Sequence, residues 1–132
     1  MSITKRLLQA KKTYFLILAV LWLFLVTVAC LIPVGIMRDV EPDFKISDKI
    51  AHVFFYFVNT ILCFLYFYKP DLKGILLKVA IFSFVYGIVI EVLQLVLPFG
   101  RSAEFTDVLA NGIGILLAIL LLKFGFLKRA RN

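Results

Sequence analysis

One apolar stretch decides the fold class, and it reads LLKVAIFSFVYGIVIEVLQLVLP from Leu76 to Pro98. It exceeds the roughly 20 residues that an α-helix needs to cross the hydrocarbon core of a bilayer. Within it a carboxylate, Glu91, and an amide, Gln94, stand among aliphatic residues. Ionisable groups at membrane depth are costly and by default indicate a functional site. The stretch therefore predicts a membrane span and a polar site inside that span.

Three further apolar stretches accompany this one in a chain of 132 residues. Hydrophobic residues make up 63% of the sequence and the mean hydropathy is +1.03, well outside the averages of soluble domains. We expect an all-α, polytopic membrane protein with four transmembrane helices in one domain over residues 1–132. The sequence contains no nucleic-acid motif, so its net charge of +7 does not indicate a nucleic-acid partner. The predicted spans cover residues 14–33, 50–68, 76–98 and 107–127.

Basic residues are distributed unequally between the two sides of the predicted bundle. With both termini on one side, that side holds eleven of the fifteen lysines and arginines and one acidic residue, which gives +10. The other side holds four basic and seven acidic residues, which gives −3. The positive-inside rule then places both termini in the cytoplasm.

Strongly polar residues recur on three of the predicted helices, always toward the same end. His52 lies about 6 Å below Asp48, and Glu91 about 10 Å below Pro98, at a helical rise of 1.5 Å per residue. Spacings of three and four residues place neighbours such as Asp48 and His52 on one helix face. We expect one binding site in the outer leaflet, formed by Asp48, Lys49, His52, Tyr56, Glu91, Gln94, Arg101, Asp107 and Asn111.

Several of these residues also have a purely structural interpretation. Asp48 and Lys49 could be a helix cap and an interfacial anchor. His52 could be an interhelical hydrogen-bond partner instead of a proton donor or ligand. Asp107 and Asn111 could cap helices and hold them together. Both interpretations stay open for each residue.

Glu91 is the hardest of the nine to explain structurally. A carboxylate at its depth must pair with a cation such as Arg101 or His52, or take up a proton, because burial disfavours its charged form. Arg101 could join the helix ends through Glu91 or Asp107, or present its guanidinium to an external phosphate or carboxylate. These two roles of Arg101 are compatible.

The cysteines and glycines have structural interpretations alone. Cys30 and Cys63 are predicted to be free thiols, because roughly 15 Å of height separates them and a disulfide allows about 7 Å between Cα atoms. We do not expect lipoprotein cleavage at Cys30, since the apolar run continues beyond it. Gly112 and Gly114 should permit close helix approach.

No cofactor or metal is predicted. His52, Glu91 and Asp107 have the ligand types for a metal ion, but one histidine and scattered carboxylates match no known metal-binding motif.

Two motifs carry a family resemblance. The run DKIAHVFFY covers Asp48–Tyr56, and EVLQ at 91–94 is followed by GRS at 100–102 and DVLAN at 107–111. In order and separation they resemble the VanZ-like family of small bacterial membrane proteins. The resemblance implies a multi-pass protein of the bacterial plasma membrane and assigns the nine polar positions to the family pattern. The family is named after a protein associated with low-level teicoplanin resistance, and most members that resemble it have no assigned activity.

Three function classes remain open. The first, which we favour, is a binding module for a lipid headgroup, a lipid-linked precursor or an amphiphilic antibiotic, with Arg101, Lys49 and His52 as candidates for anionic groups. The alternative is an intramembrane enzyme that modifies an envelope lipid, with Glu91, His52 and Asp107 as acid–base candidates. The third is an ion-linked transporter that uses Glu91. Transport is disfavoured because the polar residues are expected to stop in the outer leaflet. Homo-oligomerisation is left open.

Overall fold

The fold is a bundle of long helices, as seen in a computed structural model that describes residues 3–40, 44–69 and 74–128. All regular structure in these residues is helical, and four segments are long and apolar enough to cross a membrane, at 10–31, 48–67, 75–96 and 105–127. The all-α expectation with four membrane spans is confirmed. The helices are α1 (Ile3–Leu31), α2 (Val34–Val40), α3 (Phe44–Phe67), α4 (Ile75–Val96) and α5 (Phe105–Leu121), which continues as a π-helical turn, Leu122–Leu127.

Two helix boundaries differ from the predicted spans. Helix α1 begins at Ile3, so the basic N-terminal residues extend the helix, and α3 begins at Phe44. Hydropathy bounds only the apolar part of a helix, whereas lysine and arginine are good helix formers on an exposed face. Asp48 and Lys49 therefore lie one turn inside α3, and their interpretation as a helix cap is wrong. Residues 41–43, 70–73 and 129–132, with some of the charges counted for orientation, lie outside the described residues.

One end of the bundle gathers the polar residues. Helices α1 and α4 end there and α3 and α5 begin there, and we call it the site end. Beneath it lies an apolar cluster of Val26, Cys30, Tyr56, Ala80, Ile90 and Ile115. A second apolar cluster at the opposite end contains Ala19, Cys63, Phe64, Ile75, Val79 and Leu122. The apolar side chains that remain exposed cover the outer surface of α1, α4 and α5, as expected for helices that face lipid.

Helices α3 and α5 form the most extensive interface of the bundle. A Cβ atom at Gly114 would overlap the main-chain oxygen of Val53 and approach the nitrogen of Phe57 to 3.0 Å, so the two backbones are in direct contact. A Cβ at Gly112 would meet nothing within 4 Å. Close approach is thus confirmed for Gly114 and wrong for Gly112, because two residues along a helix turn a side chain to nearly the opposite face.

Neutral polar side chains continue below the site end. Asn59 Nδ2 donates to Ser83 Oγ at 3.1 Å, and Thr60 Oγ1 lies 3.2 Å from the same oxygen. Asn59 lies about 16 Å below Asp48 at a helical rise of 1.5 Å per residue. Helices α3 and α4 therefore bury a second polar contact near mid-depth, at the inner limit of the leaflet in which the polar residues were expected to stop. The polar groups of this contact bond one another across α3 and α4, and such hydrogen bonds commonly hold membrane helices together.

Candidate functional site

The nine polar residues predicted from the sequence lie together at the site end. Six of them are buried residues, although each is polar or ionisable, and the Arg101 side chain is 5% exposed as well. Helix α3 provides His52 and Tyr56, α4 provides Glu91 and Gln94, and α5 provides Asp107 and Asn111, each 5% exposed or less. The inward faces follow from helical spacing, because residues three or four apart project from the same side.

Two cations connect the helix ends. Arg101 donates to Asp48 Oδ1 at 2.9 Å and lies 3.4 Å from the Ile32 carbonyl, so it joins α3 and the end of α1 to the loop before α5. Lys49 pairs with Asp107 and, at 2.6 Å, with Glu104. Arg101 therefore does join helix ends, and the ion pair seen is with Asp48 instead of the predicted Glu91 or Asp107. Both cations already have carboxylate partners.

The His52 ring is held from one side. Its Nδ1 lies 2.8 Å from Asn111 Oδ1, and the ring stacks on Tyr56 with 6.4 Å between centroids. An amide oxygen only accepts, so this contact requires a proton on Nδ1, and in the neutral imidazole the lone pair is then on Nε2. Nε2 lies 3.9 Å from Asp48 Oδ2. The interhelical role proposed for Asn111 is present, and it also fixes the orientation of the imidazole.

The α4 residues contact main-chain groups of neighbouring segments. Glu91 Oε2 accepts a hydrogen bond from the Glu104 N–H at 3.2 Å, and Gln94 Nε2 donates to the Cys30 carbonyl at 2.8 Å. Their other side-chain oxygens are buried with no hydrogen-bond partner among the described residues. Four buried atoms share this property, namely His52 Nε2, Tyr56 Oη, Glu91 Oε1 and Gln94 Oε1.

Glu104 and Gly87 belong to the site and were not predicted. Glu104 pairs with Lys49 through its side chain and binds Glu91 through its N–H. Its position three residues before Asp107, at the start of α5, was a usable signal. Gly87 had no such signal, because its role appears only in packing. A Cβ there would lie 2.9 Å from Asn111 Nδ2 and 3.1 Å from Tyr56 Cε1.

Three candidate metal ligands, two carboxylates and one imidazole, lie next to these contacts. Asp48, His52 and Asp107 each have one possible ligand atom in this group, and the three atoms lie within 4.8 Å of one another. The sequence offered His52, Glu91 and Asp107 as possible metal ligands. In the structure, Asp48 takes the place of Glu91 in this group. Cys30 and Cys63 are both free, as predicted, and both are buried.

Four membrane-length helices around a buried group of carboxylates, amides and one imidazole define a small polytopic membrane protein with a polar site inside its bundle. The sequence model of the VanZ/LLP1 family matches residues 10–128, and the chain belongs to this family. The two motifs had predicted this membership. Comparisons with curated proteins and with solved structures gave no match.

Proposed function

We propose that this VanZ/LLP1-family protein binds the polar headgroup of an envelope amphiphile at the outer leaflet of the bacterial plasma membrane. The amphiphile is a lipid, a lipid-linked precursor or an amphiphilic antibiotic, and its capture contributes to tolerance of teicoplanin-like glycopeptides. The observation that carries the proposal is the set of four buried polar atoms without a hydrogen-bond partner among the described residues.

Such atoms are rare in native proteins because each carries a desolvation cost. A buried donor or acceptor that lacks a partner costs about 1–3 kcal/mol, so four of them together are a substantial burden on a marginally stable fold. A ligand that supplies the missing hydrogen bonds offsets this cost.

The identity of the four atoms favours a ligand rich in donors. Glu91 Oε1 and Gln94 Oε1 are acceptors, and His52 Nε2 becomes one when Nδ1 carries the proton. Ammonium, amide and hydroxyl groups would satisfy them, and these groups occur on aminolipid headgroups, lipid-linked saccharides and glycopeptides. Recognition of an anion by Lys49 and Arg101 receives less support, since both cations already bind carboxylates.

The position of the site favours an amphiphile over a small soluble ligand. The buried polar atoms lie within the ends of membrane-length helices, at the level of lipid headgroups and the first acyl carbons. The exposed apolar face of α1 extends to Ile32, whose carbonyl lies beside Arg101. An acyl chain along this face would place its headgroup next to the site. The face consists of Leu21, Phe24, Leu25, Val28, Ala29 and Ile32.

The outer-leaflet assignment rests on charge. The positive-inside rule places the basic ends of the bundle in the cytoplasm, and the site end then faces outward.

Substitution of Tyr56 by Phe tests the proposal, since it removes only a hydroxyl that has no hydrogen-bond partner among the described residues. We expect Tyr56→Phe to retain roughly 2- to 10-fold less co-purified amphiphile, the value of one hydrogen bond of about 0.5–1.5 kcal/mol. Its free energy of unfolding should be unchanged or higher, because a buried unsatisfied group is lost. Native mass spectrometry of protein extracted in mild detergent measures bound amphiphile per chain.

Tyr86→Phe is the matched control. The Tyr86 hydroxyl bonds Thr27 and donates to the Leu23 carbonyl at 2.9 Å, so its loss should lower stability by about 1 kcal/mol and leave the bound amphiphile unchanged. Equal amphiphile content in the wild type and Tyr56→Phe would contradict the proposal, as would a wild-type protein that carries no amphiphile.

The alternative function, an intramembrane enzyme acting on an envelope lipid, is favoured by one observation. Within the described part of the chain, Glu91 Oε1 and His52 Nε2 lack a hydrogen-bond partner, and each can accept a proton in the neutral imidazole or the ionised carboxylate. Asn111 orients the imidazole. Asp107, the third acid–base candidate, is engaged by Lys49. Glu91→Gln separates the two functions. A binding protein would lose part of its amphiphile, whereas an enzyme would keep the amphiphile and lose a product from the lipid extract of the cells.

A further inference from the structure

We propose that Asp48, His52 and Asp107 form a binding site for a divalent transition-metal ion of the Zn²⁺ or Mn²⁺ kind. This goes beyond headgroup binding and does not depend on it. The ligand atoms come from two helices, with Asp48 and His52 on α3 and Asp107 on α5, and they lie within 4.8 Å of one another.

The His52 imidazole is aimed into this group. His52 is 1% exposed, and its Nε2 has no hydrogen-bond partner among the described residues while lying 3.9 Å from Asp48 Oδ2. In the neutral imidazole with its proton on Nδ1, this Nε2 carries a lone pair that can bind a metal ion. The four-residue spacing of Asp48 and His52 places both on one helix face, as in helical zinc motifs.

Each candidate ligand has an outer partner that orients it. Asn111 accepts from His52 Nδ1, Arg101 donates to Asp48 Oδ1, and Lys49 pairs with Asp107 Oδ1. Metal-bound histidines typically donate their second ring N–H to an oxygen, and metal-bound carboxylates are hydrogen-bonded in turn. The second oxygen of Asp48, Oδ2, lies 3.9 Å from His52 Nε2.

Charge and geometry select the kind of ion. The group contains four carboxylates, Asp48, Glu91, Glu104 and Asp107, against the cations Lys49 and Arg101, so a divalent cation balances the ionised set. One imidazole with carboxylates suits Zn²⁺ or Mn²⁺, whereas Ca²⁺ and Mg²⁺ prefer oxygen ligands alone. Zinc bonds of about 2.0–2.2 Å require ligand atoms roughly 3.3 Å apart. The ion would therefore draw the three side chains together by up to about 1.5 Å from the 4.8 Å limit.

The first test is metal content. The full chain, purified in detergent with a histidine-free tag and stripped with a chelator, is dialysed against Zn²⁺ or Mn²⁺ alone. We expect one equivalent of ion to be retained. His52→Asn should lower the affinity at least 10- to 100-fold, the usual cost of losing even an outer partner. The asparagine amide can still donate to Asn111 from near the Nδ1 position, while Nε2 is gone.

Two controls match this variant. Asp39→Asn removes an exposed carboxylate on α2 and should leave the affinity unchanged. Cys30→Ser with Cys63→Ser removes both thiols, which also bind zinc, and should leave it unchanged too.

Pulsed electron paramagnetic resonance of Mn²⁺ bound to the unmutated protein gives an answer even where His52→Asn fails to fold. His52 is the only histidine of the chain, so a directly coordinated imidazole nitrogen identifies the site without a substitution. Retention of neither ion overturns the proposal, as does bound Mn²⁺ without nitrogen coupling or an affinity that His52→Asn leaves unchanged. Bound amphiphile enters neither readout, so failure here is separate from failure of the proposed function.

Discussion

Lys49 shows at the scale of single residues how exposure decides the value of an ion pair. Its ammonium pairs with Asp107, whose side chain is 3% exposed, and with Glu104, whose side chain is 42% exposed. An exposed pair contributes about 0–1 kcal/mol, whereas removal of one partner from a buried pair costs about 3–5 kcal/mol because the other charge stays desolvated. The two contacts of one side chain are therefore energetically unequal.

A pair of double variants measures this inequality. We expect Lys49→Met to lower the free energy of unfolding by about 3 kcal/mol, and addition of Asp107→Asn to recover most of that loss. Addition of Glu104→Gln to the Lys49→Met background should recover little, since water already solvates this carboxylate. Denaturation by SDS in mixed micelles provides the free energies. Equal recovery by the two additions would show that exposure does not govern these pairs.

At the scale of elements, the α3–α5 interface depends on Gly114, whose lack of a side chain lets the two backbones touch. Gly114 brings the α5 backbone against the main chain of Val53 and Phe57, and this contact sets the distance between Asn111 and His52. Small residues are the usual means by which membrane helices approach closely. The same helix carries Gly112, which faces open space.

The two glycines form a matched test of this interface. We expect Gly114→Ala to destabilise the bundle by about 1–3 kcal/mol, because the new methyl group must displace backbone and no flexible side chain can yield. Gly112→Ala should be neutral or stabilising by up to about 1 kcal/mol, since alanine is the better helix former. Thermal unfolding in detergent compares them. Similar melting temperatures for the two variants would mean that α3 and α5 separate easily at this point.

At the scale of the whole molecule, charge predicts the direction of the bundle in the membrane. Counted along the sequence with four crossings, the side opposite the termini has a charge of −3 and the side of the termini +10. Juxtamembrane lysine and arginine residues determine orientation because they are retained in the cytoplasm during insertion.

Reporter fusions test this orientation. Alkaline phosphatase fused after Ser102, in the loop before α5, should be active because the enzyme folds only outside the cytoplasm. The same reporter fused after Gly74, at the start of α4, should be inactive, and a fluorescent protein fused after Asn132 should be fluorescent. The reversed pattern would place the polar site in the inner leaflet and exclude an envelope ligand presented from outside.

The sequence by itself was sufficient for the helical membrane class, the four spans, the family and the expectation that nine polar residues lie near one end of the bundle. These follow from local properties, namely hydropathy over about 20 residues, helical spacing, and the cost of a charge such as Glu91 in lipid. The partners of these residues were not predictable. Arg101 was expected beside Glu91 or Asp107 and pairs with Asp48. The sequence places all of these carboxylates at one level and contains nothing that ranks them.

Only the tertiary structure decided which polar atoms are satisfied. Whether Asn111 reaches His52, and whether Gly87 leaves room for both Asn111 and Tyr56, depends on how the helices rotate and how closely they pack. Rotation and distance are set by backbone contacts such as the one at Gly114, between segments about sixty residues apart. Hydropathy and residue spacing describe each helix separately. A hydrogen bond between two helices depends on their relative position to within a few tenths of an ångström.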